Sequence, residues 1–208
     1  DETGRADFRE IAETHADTLL RYNVRPDGSS YHCYLFDPST GKPLGGRTHQ
    51  GFADESCWSR GQAWLIHGFA VAYQRTGNPR WLDAVRTLGA KAEEFMTGKE
   101  VMPYDYILPE GEEAYADSSA AAVTACGIYI LADNVDEEEA KRWRAFGDKL
   151  IAGLLQHSDL TRNPEAYGLL DHGASHVKIG LNRAMLPYGD YYFMEALMRS
   201  LGHNSFFW

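Results

Sequence analysis

The 208 residues are 44% hydrophobic and 12% aromatic, enough to bury one sizeable core, and the formal net charge is −10. That balance, without clustered Lys and Arg, argues against nucleic acid and against an anionic membrane surface as partners, while a small anionic ligand answers mainly to the charges of its own pocket. Cys33, Cys57 and Cys126 are widely spaced with no CxxC, which favours free thiols in a reducing compartment over a disulfide framework or a zinc site.

Helical periodicity dominates the chain. From Asp7 to Tyr22, apolar residues at Phe8, Ile11, Ala12, Leu19 and Leu20 recur at helical spacing. A long connection from Arg25 to Gly51 follows, with short strands expected around Tyr31 to Phe36. A second helix is predicted from Glu55 to Tyr73 through Trp58, Leu65, Phe69 and Ala72, with Asp54 or Ser56 as its N-cap. Pro79 to Met96 forms a third, with Pro79 in its first turn and Trp81, Val85, Leu88, Ala92 and Phe95 as its apolar stripe.

Beyond the Lys99 to Tyr115 loop, Asp117 to Leu131 reads as a helix whose small residues suit tight packing. Asp117 is either its N-cap or a pocket-lining carboxylate, and Asp105 is a second candidate of the latter kind. The run Asp136-Glu137-Glu138-Glu139 opens a helix reaching Gln156, as the macrodipole favours, and a last helix spans Tyr188 to Leu201 after the long Asn163 to Pro187 loop. Structureless loops above roughly 12 to 15 residues in a compact domain are usually functional, so these connections are where a site is sought. No stretch approaches the roughly 18 apolar residues of a membrane span. The start Asp1-Glu2-Thr3-Gly4 has no secretory character, so the cytoplasm is the expected location, although a signal preceding these residues would not be seen.

A repeat aligns Thr3-Gly4-Arg5-Ala6-Asp7-Phe8 with Thr76-Gly77-Asn78-Pro79-Arg80-Trp81, each Thr-Gly followed by an aromatic and an amphipathic helix. Such a period suits helical hairpins joined by long loops, and the helix that precedes the second copy has no counterpart before the first. Residues 1–208 are therefore read as one domain that forms part of a larger ring.

The densest chemistry lies between Thr48 and Trp64. A His49-Gln50 pair in a loop is followed by Trp58, then by Arg60 and Trp64 four apart on one helix face. Near the positive end of a helix, an Arg beside a Trp offers bidentate pairing to a carboxylate next to a stacking plane for a sugar ring. Packing alone would make the tryptophans core and Arg60 an ordinary surface cation, but the number of special residues in so short a run weighs against it. His172 and His176 are four apart, yet Gly173 between them and the lack of an H-E-x-x-H pattern argue against a metal pair. Cys57 reads as a buried thiol, not a nucleophile.

The run from Thr48 to Trp64 resembles the signature of the unsaturated glucuronyl hydrolases, glycoside hydrolase family 88. The likeness continues through Ser29-Ser30-Tyr31-His32, Asp117-Ser118-Ser119-Ala120, Ser175-His176-Val177-Lys178 and Gly189-Asp190-Tyr191-Tyr192-Phe193, covering nearly the whole chain. The resemblance implies an all-α fold, an α/α toroid of the six-hairpin barrel type, of which this chain is the C-terminal half. It implies action on unsaturated uronic acid at the end of oligosaccharides made by polysaccharide lyases, with no metal and no nucleotide cofactor. An aspartic acid protonates the vinyl ether at C4, water adds at C5, and the hemiketal opens.

Matched motif to motif, His32, Gln50 and Arg60 resemble the family's polar substrate-binding residues, and Trp58 and Trp64 its stacking aromatics. Ser175, His176 and Lys178 fall where some relatives contact the next sugar or its sulfate. The family's catalytic aspartates are expected N-terminal to Asp1, so the partners implied are an acidic unsaturated oligosaccharide and the missing N-terminal half of the toroid, and the isolated chain is expected to be inactive. Ala116 and Tyr104-Asp105 replace the family's Arg and Trp-Asp, which points to a shifted substrate preference. Two alternatives are an unsaturated rhamnogalacturonyl hydrolase, against which the Thr48-His49-Gln50-Gly51 run weighs, and a non-catalytic acidic-sugar-binding protein.

Overall fold

The computed structural model describes residues 4–206. Six α-helices carry the architecture: α1 (Ala6–Tyr22), α2 (Ser59–Thr76), α3 (Pro79–Phe95), α4 (Ser118–Ala132), α5 (Glu137–His157) and α6 (Pro187–Ser200). A two-stranded antiparallel hairpin, β1 (Cys33–Phe36) and β2 (Pro43–Arg47), sits in the first long connection and pairs Cys33 with Arg47. A single 3-10 turn covers Val177–Ile179.

The even-numbered helices line up side by side, α4 packing against both α2 and α6, while α3 backs α2 and α5 backs α4. The result is an arc of helical hairpins in two layers, half of an α/α toroid. At its two ends stand α1, which touches α2 only sparingly, and α6.

Helix α4 is the hub, and all fifteen of its residues are buried. A helix apolar all round is a core helix, and small side chains let its neighbours come close. A Cβ on Gly127 would lie 2.9 Å from the His67 backbone nitrogen and 2.7 Å from Ile66 Cγ2, so glycine sets the α2–α4 spacing. Trp81, Leu88, Tyr129, Trp143 and Phe193 fill the space between the layers. Trp81 stacks on Phe69 with ring centroids 5.8 Å apart.

The repeat shows in the backbone. Gly4 and Gly77 both adopt φ of 67°, the left-handed conformation that glycine reaches without steric cost, immediately ahead of α1 and α3. Asn78 caps α3 by accepting from the Arg80 N–H at 3.1 Å, whereas Arg5 precedes α1 without a side-chain cap; Thr3 lies outside the described residues. Of the two roles open to Asp117 the structure shows the N-cap of α4, and Asp136, first of the acidic run, caps α5.

The start of α2 differs from the sequence expectation. The helix begins at Ser59, not Glu55, and its N-cap is Trp58 with no side-chain bond, so neither Asp54 nor Ser56 is the cap. Asp54 instead accepts the Thr48 N–H at 2.9 Å, and the Ser56 hydroxyl donates to Asp105 at 2.6 Å. The last helix likewise starts one residue early, at Pro187, a position that suits proline.

Between α1 and α2 runs an apolar groove of about 690 Å³ whose lining includes Phe8, Leu19, Trp64, Phe69 and Val71. Phe8 and Ile11 on α1, and Met194 and Met198 on α6, are exposed at the two ends of the arc.

Candidate functional site

The site forms where the loop ahead of α2 meets the start of α4 and the loop after α5. Asp105 organises the first wall. Fully buried, its carboxylate accepts the backbone N–H groups of Phe52 at 2.9 Å, Cys57 at 3.1 Å and Ile107 at 3.0 Å, together with the Ser56 hydroxyl at 2.6 Å. Gly51 permits the fold of this turn, because a Cβ there would sit 2.6 Å from Thr48 Oγ1 and 2.9 Å from Asp105 Oδ2. With every lone pair in use, Asp105 is a structural carboxylate and does not line the pocket.

His32 faces this turn. Its ring lies on Trp58, centroids 4.1 Å apart, and its Nδ1 accepts the His49 N–H at 3.2 Å. Thr48 Oγ1, 3.2 Å from the same nitrogen, already accepts from Gly51 N–H at 2.8 Å, so its own hydrogen is directed at Nδ1. This pattern assigns the ring proton to Nε2, the remaining donor. Burial, reinforced by the nearby His49, Arg60, His176 and Lys178, pushes the His32 imidazole down to about 4, so the ring is neutral near pH 7.

Arg60, the second residue of α2, is buried and paired with the equally buried Asp117. Its Nη1 also donates to the Ala174 carbonyl at 3.0 Å and reaches the Ser119 hydroxyl at 3.2 Å, while Nη2 donates to the Ser175 carbonyl at 2.9 Å. Gln50 Nε2 donates to that same carbonyl at 2.6 Å. Two residues separated from the 174–178 loop by more than a hundred positions therefore hold one of its peptide oxygens. The guanidinium lies over Trp58 at 4.7 Å and Tyr188 at 5.6 Å. Burial raises the Asp117 carboxyl while Arg60 opposes that rise.

The six positions His32, Gln50, Trp58, Arg60, Ser175 and His176 are thus brought together, His176 through an edge-on ring contact with His49 at 4.8 Å. Lys178 belongs to the 3-10 turn and adds positive potential at His32. Trp64 stands apart, on the exposed flank of α2 beside the apolar groove, with Tyr192 at 5.4 Å and Tyr188 at 6.1 Å. Sequence reasoning did not single out His49, Tyr188 or Tyr192, nor the strut made by Asp117. His49 lay within the quoted motif, but its ring contact is with a residue across the fold. His172 takes a left-handed φ of 58°, and its carbonyl accepts the Ser118 N–H at the head of α4. Among the described residues, no group of three or more His, Cys, Asp or Glu is gathered so as to hold a metal ion.

Comparison with known proteins gives these residues a setting. No family model matches the chain. It is 37% identical over 202 residues to an unsaturated glucuronyl hydrolase of Bacillus sp. strain GL1, covering 96% of this chain and 54% of that protein. It is 31% identical over 212 residues to an unsaturated chondroitin disaccharide hydrolase of Streptococcus pneumoniae, covering 100% of this chain and 53% of the relative. The crystal structure of the Bacillus sp. GL1 enzyme superposes with a TM-score of 0.90 at 36% identity over 95% of this chain and 53% of that one. An unsaturated glucuronyl hydrolase specific for heparin gives 0.85 at 28% identity over 97% of this chain and 55% of its own. The chain spans about half the length of these relatives. With the arc of hairpins and the site described above, these likenesses show that the chain belongs to the unsaturated glucuronyl hydrolase family, glycoside hydrolase family 88.

Proposed function

We propose that this chain is the sugar-binding half of a hydrolase acting on oligosaccharides that end in an unsaturated uronic acid. The observation that carries the reading is the cluster itself: a neutral imidazole laid on Trp58, facing a loop bearing Ser175, His176 and Lys178 that Gln50 and Arg60 hold in place. A flat aromatic ring with polar donors at its edge suits a sugar, and positive potential in a chain of net charge −10 suits an acidic one. Trp64, further along α2, would extend the aromatic surface toward the ring interior.

The reaction needs a positioned acid to protonate the vinyl ether at C4 so that water can add at C5. Asp105 and Asp117, the two carboxylates nearest the cluster that the sequence offered, are both buried and occupied with protein donors. The family resemblance places the proton donor in a segment N-terminal to these residues, whose helices would complete the ring. No helix among the described residues is long and apolar enough to cross a membrane. The three free thiols, two of them buried, favour a cytoplasmic protein.

The test is to titrate the chain with an unsaturated chondroitin disaccharide by calorimetry while following the ultraviolet absorbance of its C4=C5 bond. Saturable binding that Trp58→Ala abolishes, with absorbance unchanged, is the expected result. Loss of absorbance would show that the acid is within these residues, and absence of binding would overturn the sugar-site reading.

A further inference from the structure

The protein partners of Arg60 give it a structural task of its own, beside any contact with substrate. Its Nη1 faces Asp117, Ser119 Oγ and the Ala174 carbonyl, and its Nη2 faces the Ser175 carbonyl, so four protein acceptors already surround a side chain only 2% exposed. Asp117 has no surface at all. Its Oδ1 accepts the Ser119 hydroxyl at 2.6 Å and the Ala120 N–H at 3.3 Å, and its Oδ2 takes Arg60. One carboxylate thus caps α4 and holds the guanidinium that reaches across to the loop.

We propose that Asp117 is the positioning residue of this pocket: through Arg60 it fixes the main chain at Ala174 and Ser175, and so sets where Ser175, His176 and Lys178 stand relative to His32 and Trp58. The inference rests on the sugar-site reading above and adds to it a residue that touches no ligand. Its physical basis is that a buried guanidinium keeps its geometry only while its counter-ion is present. Without Asp117 the unpaired charge would draw in water or turn toward another acceptor. The Ser175 carbonyl would then keep Gln50 alone, and Ala174 would lose the donor that Arg60 supplies. Because Gln50 follows His49, whose N–H fixes the His32 tautomer, a shift at Ser175 is also felt on the opposite wall.

The decisive variant is Asp117→Asn in the 208-residue chain. The amide oxygen can still cap α4, but the negative charge facing Arg60 is gone. Asp136→Asn, at the cap of α5 and away from the pocket, controls for a capping effect. Two unsaturated chondroitin disaccharides, one carrying a 6-sulfate and one unsulfated, are titrated by calorimetry. Amide and imidazole NMR signals are followed in the free protein.

For Asp117→Asn the expected result is weaker binding of the sulfated disaccharide, on the order of tenfold, a smaller effect on the unsulfated one, and shifted signals for residues 174–178 and His32. Asp136→Asn should leave all of these unchanged. Arg60→Met combined with Asp117→Asn should lose no more affinity than either change alone, since the two residues act as one unit. Should Asp117→Asn fail to fold, Ser119→Ala, which removes one donor to the same carboxylate, is expected to shift the same signals to a smaller degree. An Asp117→Asn protein, or Ser119→Ala in its place, whose 174–178 signals and binding match those of Asp136→Asn would overturn the proposal. Failure of the unaltered chain to bind either disaccharide would count against the sugar-site reading, while the NMR comparison would still decide whether Asp117 positions the loop.

Discussion

Asp105→Asn changes one atom and should cost far more than its size suggests. The carboxylate takes four donors, two on each oxygen: Phe52 N–H and Ser56 O–H on Oδ2, Cys57 N–H and Ile107 N–H on Oδ1. An asparagine offers a single oxygen, so whichever way the amide turns, its NH₂ faces two donors that have lost their acceptor. The Ser56 hydroxyl can turn to Ala53 O, 2.8 Å away, but a backbone N–H cannot turn. Each buried group left without a partner costs about 1–3 kcal/mol, more where the lost bond was to a charge, so a loss of about 3–5 kcal/mol is expected. Urea unfolding followed by tryptophan fluorescence should show it as a lowered midpoint with unchanged slope. Because the same carboxylate shapes the turn that presents Thr48 to Gly51, His32 should lose its fixed tautomer as well, visible in its imidazole NMR signals. A cost below about 1 kcal/mol would refute the reasoning, since it would mean that the turn does not depend on a charged acceptor.

Other consequences are equally direct. The neutral ring of His32 is favoured in the folded state, so the unfolded chain binds the extra proton as pH falls from about 6.5 toward about 4. Stability from this residue is complete above the upper limit and lost progressively below it, by about 1–3 kcal/mol after allowing for the ring's partial exposure. Comparing melting of wild type and His32→Gln across that range should show a shallower pH slope in the variant. Burial pushes the Cys57 thiol up to about 11 and holds Cys126 well above the usual thiol range, so an aromatic disulfide reagent near pH 8 should modify the half-buried Cys33 first and the other two only on unfolding. Gly127→Ala should destabilise by about 1–3 kcal/mol through its clash with α2, despite the better helix propensity of alanine. By contrast Gly68→Ala, with nothing within 4 Å of the added methyl, should stabilise α2 by about 0.5–1 kcal/mol in the same melts.

Much of the architecture was legible because it rests on local signals. The periodic stripes from Phe8 to Leu20 and from Trp81 to Phe95 produced helices within a residue or two of their expected bounds, and Asp136 and Pro79 marked true starts. The start of α2 was misplaced for a physical reason. Asp54 and Ser56 have the chemistry of N-caps, but Asp105, nearly fifty residues away, recruits the Ser56 hydroxyl and the Cys57 N–H into a turn. Competition from a distant carboxylate leaves no trace in a local window. The role of Arg60 was hidden likewise, because the residues that saturate it come from α4 and from the 174–175 loop. Gly51 entered the sequence reading only as part of the motif, although a loop glycine can mark close backbone approach, and here it sits against Asp105 and Trp58.

The oxygen that anchors the 174–178 loop belongs to the peptide bond of Ser175, not to any side chain. No single codon change at 175, 176 or 178 can delete that acceptor. The loop can therefore drift in side-chain chemistry, exchanging a serine, an imidazole or an ammonium for other groups, while its path past the pocket stays registered to α2. Attachment is written in one part of the chain and selectivity in another, so selection can revise what the pocket prefers without rebuilding what holds it.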